Sequence, residues 1–101
     1  MEENIELSHL PEVDEIDRAK INASLQGSYG KLQKRLNNKI LLRAHFKEES
    51  KTGARKRHEV HLHLSAPGVE VTAVGAGWNL ITALQGAIET LERETSKKVN
   101  D

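Results

Sequence analysis

Two sets of side chains in this 101-residue sequence are equipped for chemistry, and both carry or can gain positive charge. The first is a dispersed set of bases. Lys31, Lys34 and Arg35 are followed by Lys39 and Arg43, then by the run Arg55, Lys56, Arg57 and His58, and finally by Lys97 and Lys98. Phosphate backbones are bound by distributed cations of this kind with no fixed spacing, because each base neutralises a separate phosphate. The second set is His45, His61 and His63. Residues two apart on a strand share a face, so His61 and His63 project together, and pairing Phe46 with Val60 sets His45 opposite His61. Three imidazoles on one face approach a zinc-binding geometry. No carboxylate is visible to orient them, however, and an open sheet face is wet, so no metal is assigned. The plain reading is polar residues on the solvated side of an antiparallel sheet. The functional reading is protonation-sensitive contact with an anionic partner, which makes that face a candidate protein-interaction surface.

Enzymatic chemistry has no support in the motifs. Gly75-Ala76-Gly77 is followed by Trp78 and Asn79 with no lysine beside it, so it is not a phosphate-binding loop. No spacing sets a serine or carboxylate nucleophile beside a base, and there is no cysteine for thiolate chemistry, a disulfide or a thiolate metal site. The expectation is a non-enzyme with no cofactor and no small-molecule substrate. Base stacking is poorly supplied too, since Tyr29, Phe46 and Trp78 are the only aromatic residues and Phe46 falls on an inward position. That favours recognition of folded RNA by shape over single-strand reading.

Net charge is zero but strongly segregated. Residues 1–30 hold seven acids against two bases, residues 31–58 ten bases against two acids, and residues 59–101 six acids against three bases. Exposed charges act over about a Debye length, ~8 Å in physiological salt, so the central segment presents a local anion-binding surface despite overall neutrality. An acidic amino terminus and the lack of any apolar run near ~20 residues fit neither a signal peptide nor a membrane span. The expected location is the cytoplasm, with no membrane partner.

The elements that must position these residues follow from periodicity. Ile5, Leu7 and His9 alternate with Glu6, Ser8 and Leu10 as a short edge strand that Pro11 ends. An acid near Asp14 opens a helix whose apolar positions run through Ile16, Ala19, Ala23, Leu25, Tyr29, Leu32 and Leu36. Gly27 and Gly30 within it predict a kink or a close backbone approach, and Asn37-Asn38 stops it. Ile40, Leu42, Ala44 and Phe46 mark a half-buried strand. Glu48–Arg57 reads as a long hairpin loop containing Gly53. Val60, Leu62, Leu64 and Ala66 mark the next strand, Pro67-Gly68 a turn, and Val69, Val71 and Ala73 a third strand that Gly75-Ala76-Gly77 breaks. Asn79 caps a last helix with Leu80, Ile81, Leu84, Ile88 and Leu91 inward and Lys97-Lys98 at its end. The result is an α+β two-layer sandwich of order β-α-β-β-β-α. Two helices pack on one face of a four-stranded sheet. It forms one domain over residues 1–101, with an acidic segment at 1–13 and a short tail at 98–101.

This order resembles the ribosome hibernation-promoting and ribosome-associated inhibitor family. The likeness covers roughly residues 14–98 and is strongest over residues 58–98, where a strand, a small-residue break, a cap and the sequence Leu91-Glu92-Arg93 succeed one another. Asn79 stands where the family usually has Asp, and Ala83-Leu84-Gln85 stands for Ala-Ile-Asp. Lys31-Leu32 resembles the Lys-Leu of the family's first helix. The resemblance implies a short-form factor that lodges in the mRNA and tRNA channel of the small ribosomal subunit and inhibits translation. Lys31, Lys34 or Arg35, and Lys97-Lys98 match family bases that contact ribosomal RNA.

Overall fold

The computed structural model describes residues 4–50 and 56–99. In chain order they form β1 (Ile5–Ser8), α1 (Glu15–Leu36), β2 (Leu41–Ser50), β3 (Lys56–Ala66), β4 (Val69–Gly77) and α2 (Leu80–Val99). The strands lie side by side as β1-β2-β3-β4, with β1 parallel to β2 and the remaining neighbours antiparallel. Parallel neighbours need a crossover, and α1 supplies it. Class and element order are those expected from the sequence.

Alternation along the strands decides which face is covered. Leu42, Ala44 and Phe46, Val60, Leu62 and Leu64, and Val71 and Ala73 all point to one side. They form one buried cluster with Ile21, Leu25, Tyr29 and Leu32 of α1 and with Leu80, Ala83, Leu84, Ala87 and Leu91 of α2. Both helices therefore cover the same face. The register pairs Phe46 with Val60 and His45 with His61, so the imidazoles lie on the uncovered face.

The helix ends follow the expected chemistry. The Asp14 carboxylate accepts the amide of Asp17 at 2.8 Å, and Asn37 closes α1 in the left-handed conformation with its amide donating to the Gln33 carbonyl at 2.8 Å. The Asn79 side chain accepts the amide of Ile81 at 2.9 Å. Within the core the Tyr29 hydroxyl donates to the Ile40 carbonyl at 3.2 Å, fastening α1 to the entry of β2. Gly68, at φ +77°, takes the left-handed position after Pro67 in the β3–β4 turn. Among the described residues no helix is long and apolar enough to cross a membrane.

Four expectations are corrected. The inward face of α1 begins at Ile21 and proceeds through Leu25, Ser28, Tyr29 and Leu32, whereas Ile16 is 68% exposed and Ala19 and Ala23 face water. Neither Gly27 nor Gly30 marks a close approach, since nothing lies within 4 Å of a Cβ built on either, and α1 runs unbroken through both. The close approach is at Gly75, and β4 continues through it to Gly77. Finally, the β2–β3 hairpin is longer than hydrophobic alternation implies, with Glu48 opposite His58, Glu49 opposite Arg57 and Ser50 opposite Lys56. Arg55 and Gly53 lie outside the described residues, as do residues 1–3 of the acidic segment and the last two residues of the tail.

Candidate nucleic-acid interface

The last turns of α1 and the middle of α2 lie side by side because Leu32 and Leu91 are both drawn into the core. Their outward neighbours are left flanking a channel. It is an open groove of about 770 Å³, lined from α1 by Lys31, Lys34 and Arg35 and from α2 by Glu89, Glu92, Arg93 and Ser96. Lys31 and Arg35 are four apart and share a helix face. Lys34 also borders a shallower hollow with Gln33, Asn37, Asn38 and Lys39, where α1 ends. Among the described residues, Lys31, Lys34, Arg35, Lys39 and Arg93 form no ion pair. Their charge faces solvent uncancelled by a contacting carboxylate, the condition in which a cation attracts an anionic polymer.

The other nominated bases are placed differently. Arg43 lies on the uncovered sheet face with its Nε 3.1 Å from Glu6 Oε1. Strand alternation splits the run at residues 56–58. Lys56 and His58 share the helix-side face with Glu48, at 3.3 and 3.7 Å from its carboxylate, while Arg57 points to the other face and meets Glu59 at 2.6 Å. Lys97 pairs with Glu94 at 3.4 Å, and Lys98 donates to the Glu70 carbonyl at 3.0 Å. The bases thus do not form one surface. The groove gathers three of them, with Lys39 adjoining.

Arg93 is the groove residue that sequence reasoning left out of the site. Glu89, Glu92, Arg93 and Ser96 recur at three, one and three positions, which marks a polar helix face and was the available signal.

On the opposite side of the sheet the histidines are joined by contacts. The His45 ring stands 4.7 Å from that of His9 and 6.3 Å from that of His61. Carboxylates absent from the sequence pattern are present here, since His61 Nε2 lies 3.0 Å from Glu59 Oε1 and His63 Nε2 3.3 Å from Glu70 Oε1. The hydrogen bond from His61, reinforced by Arg57, holds the Glu59 carboxyl below the usual carboxylate range against a smaller opposing effect of burial. His45 is held below the usual imidazole value, first by partial desolvation and then by His9, Lys47 and His61. Among the described residues no three metal-ligating side chains are grouped so as to hold an ion.

No protein-family model matches the sequence, and no curated protein does. Solved structures match along nearly the whole chain. The N-terminal domain of Protein Y from Thermus thermophilus aligns with a TM-score of 0.68 and 15% identity, over 97% of this chain and 99% of that one. A ribosomal subunit interface protein from Coxiella burnetii aligns with a TM-score of 0.65 and 15% identity, over 96% and 98%. At such identity the likeness establishes the fold, which is the one the sequence resemblance implied.

Proposed function

We propose that this protein is a non-enzymatic, cytoplasmic translation inhibitor of the ribosome-hibernation type. The observation that carries the reading is the groove between α1 and α2, where Lys31, Lys34, Arg35 and Arg93 stand without ion-pair partners among the described residues. Whole-chain similarity to a Protein Y domain and to a ribosomal subunit interface protein supports a ribosomal partner. In this reading the groove cations neutralise phosphates of small-subunit RNA, and Lys39, Lys97 and Lys98 extend the contact. The folded body then occupies the channel that mRNA and tRNA need. Inhibition comes from occlusion, so no cofactor or catalytic group is required.

Sucrose-gradient co-sedimentation of the tagged protein with small subunits tests it. The four groove cations alone, neutralising about four phosphates, give a salt slope near −0.9 × 4, so a fourfold rise in salt should weaken binding by about a hundredfold or more. Absence from the small-subunit fractions, or binding indifferent to salt, would reject the proposal.

A further inference from the structure

The uncovered sheet face carries a second concave site, of about 260 Å³, in which donor-bearing side chains stand among the apolar Leu62, Ala73 and Val74. Arg43, His45, His61 and His63 line it together with the hydroxyl-bearing Ser8 and Thr72. They come from all four strands, brought together by the registers Ser8–His45, His45–His61 and His63–Thr72. Its floor is the sheet itself, so the side chains stand on a rigid base. The site shares no lining residue with the inter-helix groove and lies on the opposite face.

We propose that this pocket is a proton-gated binding site for a tetrahedral oxyanion of the phosphate type. Three features argue for it. The lining offers convergent N–H and O–H donors, the inventory that tetrahedral oxyanions take. The carboxylates around the rim are already engaged: Glu6 with Arg43, Glu59 with Arg57 and His61, Glu70 with His63. A proton on His63 is balanced by Glu70, whereas one on His45, which contacts no carboxylate among the described residues, appears as new positive charge. And the imidazoles are crowded, with His9 Nδ1 3.3 Å from His45 Nδ1 and Lys47 next along β2. Charging several of them together raises mutual repulsion, which a bound anion relieves. The Ser8 hydroxyl lies 2.8 Å from His45 Nδ1, and in the neutral tautomer that leaves Nδ1 unprotonated the hydroxyl donates to it. Once charged, His45 has no lone pair for that bond, and the hydroxyl becomes free to turn toward an anion.

The gate has a calculable steepness. An imidazole whose pKa lies at or below the ordinary ~6.5, as the lowered value of His45 does, loses charge about tenfold or more between about pH 5.5 and about pH 7.5. An anion that requires His45 charged should thus lose about tenfold or more in affinity across that interval.

The test is an NMR titration of the labelled full-length chain, following histidine ring signals and the Arg43 and Thr72 amides at those two pH values and at constant ionic strength. Sulfate serves as the free-oxyanion probe and a short RNA as the phosphodiester probe, because neither anion's charge changes over the interval. The expected result is saturable shifts at His45, His61 and His63 with at least one probe, tenfold or more stronger at the lower pH and lost in both Arg43→Gln and His45→Gln. Saturation by RNA would identify a nucleic-acid phosphate as the ligand, and saturation by sulfate alone a free oxyanion. Both variants change exposed or half-buried side chains, and their amide spectra would report that the fold is kept. Shifts that do not saturate with either probe, equal affinity at both pH values, or unchanged binding by the folded variants would overturn the proposal. Loss of ribosome binding on altering the groove would leave this result unaffected.

Discussion

Gly75 of β4 and Ala83 of α2 are in backbone-to-backbone contact, with no room between them for a side-chain carbon: a Cβ on Gly75 would run into the Ala83 carbonyl oxygen and the Ala87 amide. Small residues on both elements let the helix settle directly on the strand. Gly75→Ala should therefore force α2 away and cost about 1–3 kcal/mol. Gly27→Ala and Gly30→Ala, with nothing within 4 Å, should have the opposite sign and stabilise the helix by about 0.5–1 kcal/mol each. Urea denaturation of the three variants is the check, and a stabilised Gly75→Ala would contradict the packing.

Leu84 and Leu91 are both 0% exposed and face the sheet from the same side of α2. Truncation to alanine removes the transfer free energy and leaves a cavity, so each variant should lose about 2–5 kcal/mol. Melting near the wild-type temperature would place the helix face elsewhere.

Reversing charge in the groove should separate binding from folding. Lys31 and Arg35 are exposed and lie beside the buried Leu32. Replacing both by Glu should change stability by less than about 0.5 kcal/mol per site while setting repulsion against any phosphate they face. The expected outcome is a normal circular dichroism spectrum and no co-sedimentation with small subunits. Arg93→Glu should weaken binding in the same direction. A folded double variant that still binds would remove α1 from the interface.

Lowering the pH should destabilise the fold through His45, whose imidazole is held below its ordinary value. The unfolded chain takes up the proton first. The native advantage is complete above the unfolded value of about 6.5 and is lost as pH falls from there through the native value. In chloride buffers Tm should drop between about pH 7.5 and about pH 5.5, and His45→Gln should shrink that drop. Parallel curves for the two proteins would show that His45 is not the cause. Glu59 acts at a lower pH. Its depressed carboxyl contributes stability above the ordinary carboxylate range that disappears only as pH falls through its native value.

What could be read in advance was whatever burial imposes on sequence. Leu80, Leu84 and Leu91 fall at helical spacing behind an Asn cap, and Leu42 to Phe46 and Val60 to Leu64 alternate cleanly, so α2, β2 and β3 were legible. The outer hairpin was not, because its cross-strand side-chain contacts are between charged groups: Glu48 with Lys56 and with His58 has no hydrophobic signature. Ile16 misled for the converse reason, being apolar yet exposed near the start of α1. Gly75 looked like a strand break since a glycine demanded by a neighbouring backbone and one demanded by a turn are identical in a sequence. The groove was half visible. Lys31, Lys34 and Arg35 announce themselves as a basic helix face, but Arg93 joins them only through the packing of two helices distant in the chain.

The parallel strand at the edge has a consequence for the order of assembly. Ser8 and its partner His45 are 37 positions apart, whereas β2, β3, β4 and α2 follow one another as neighbours. Closing the longer loop forfeits more chain entropy before any contact forms, so the meander with α2 should assemble first and β1 dock last. Native-state hydrogen exchange should then find the Leu42 amide, bonded to the Asn4 carbonyl at 2.9 Å, opening well before the amides shared by β2 and β3. Ser8 travels with that strand, so the oxyanion pocket acquires its last wall only when folding is otherwise finished.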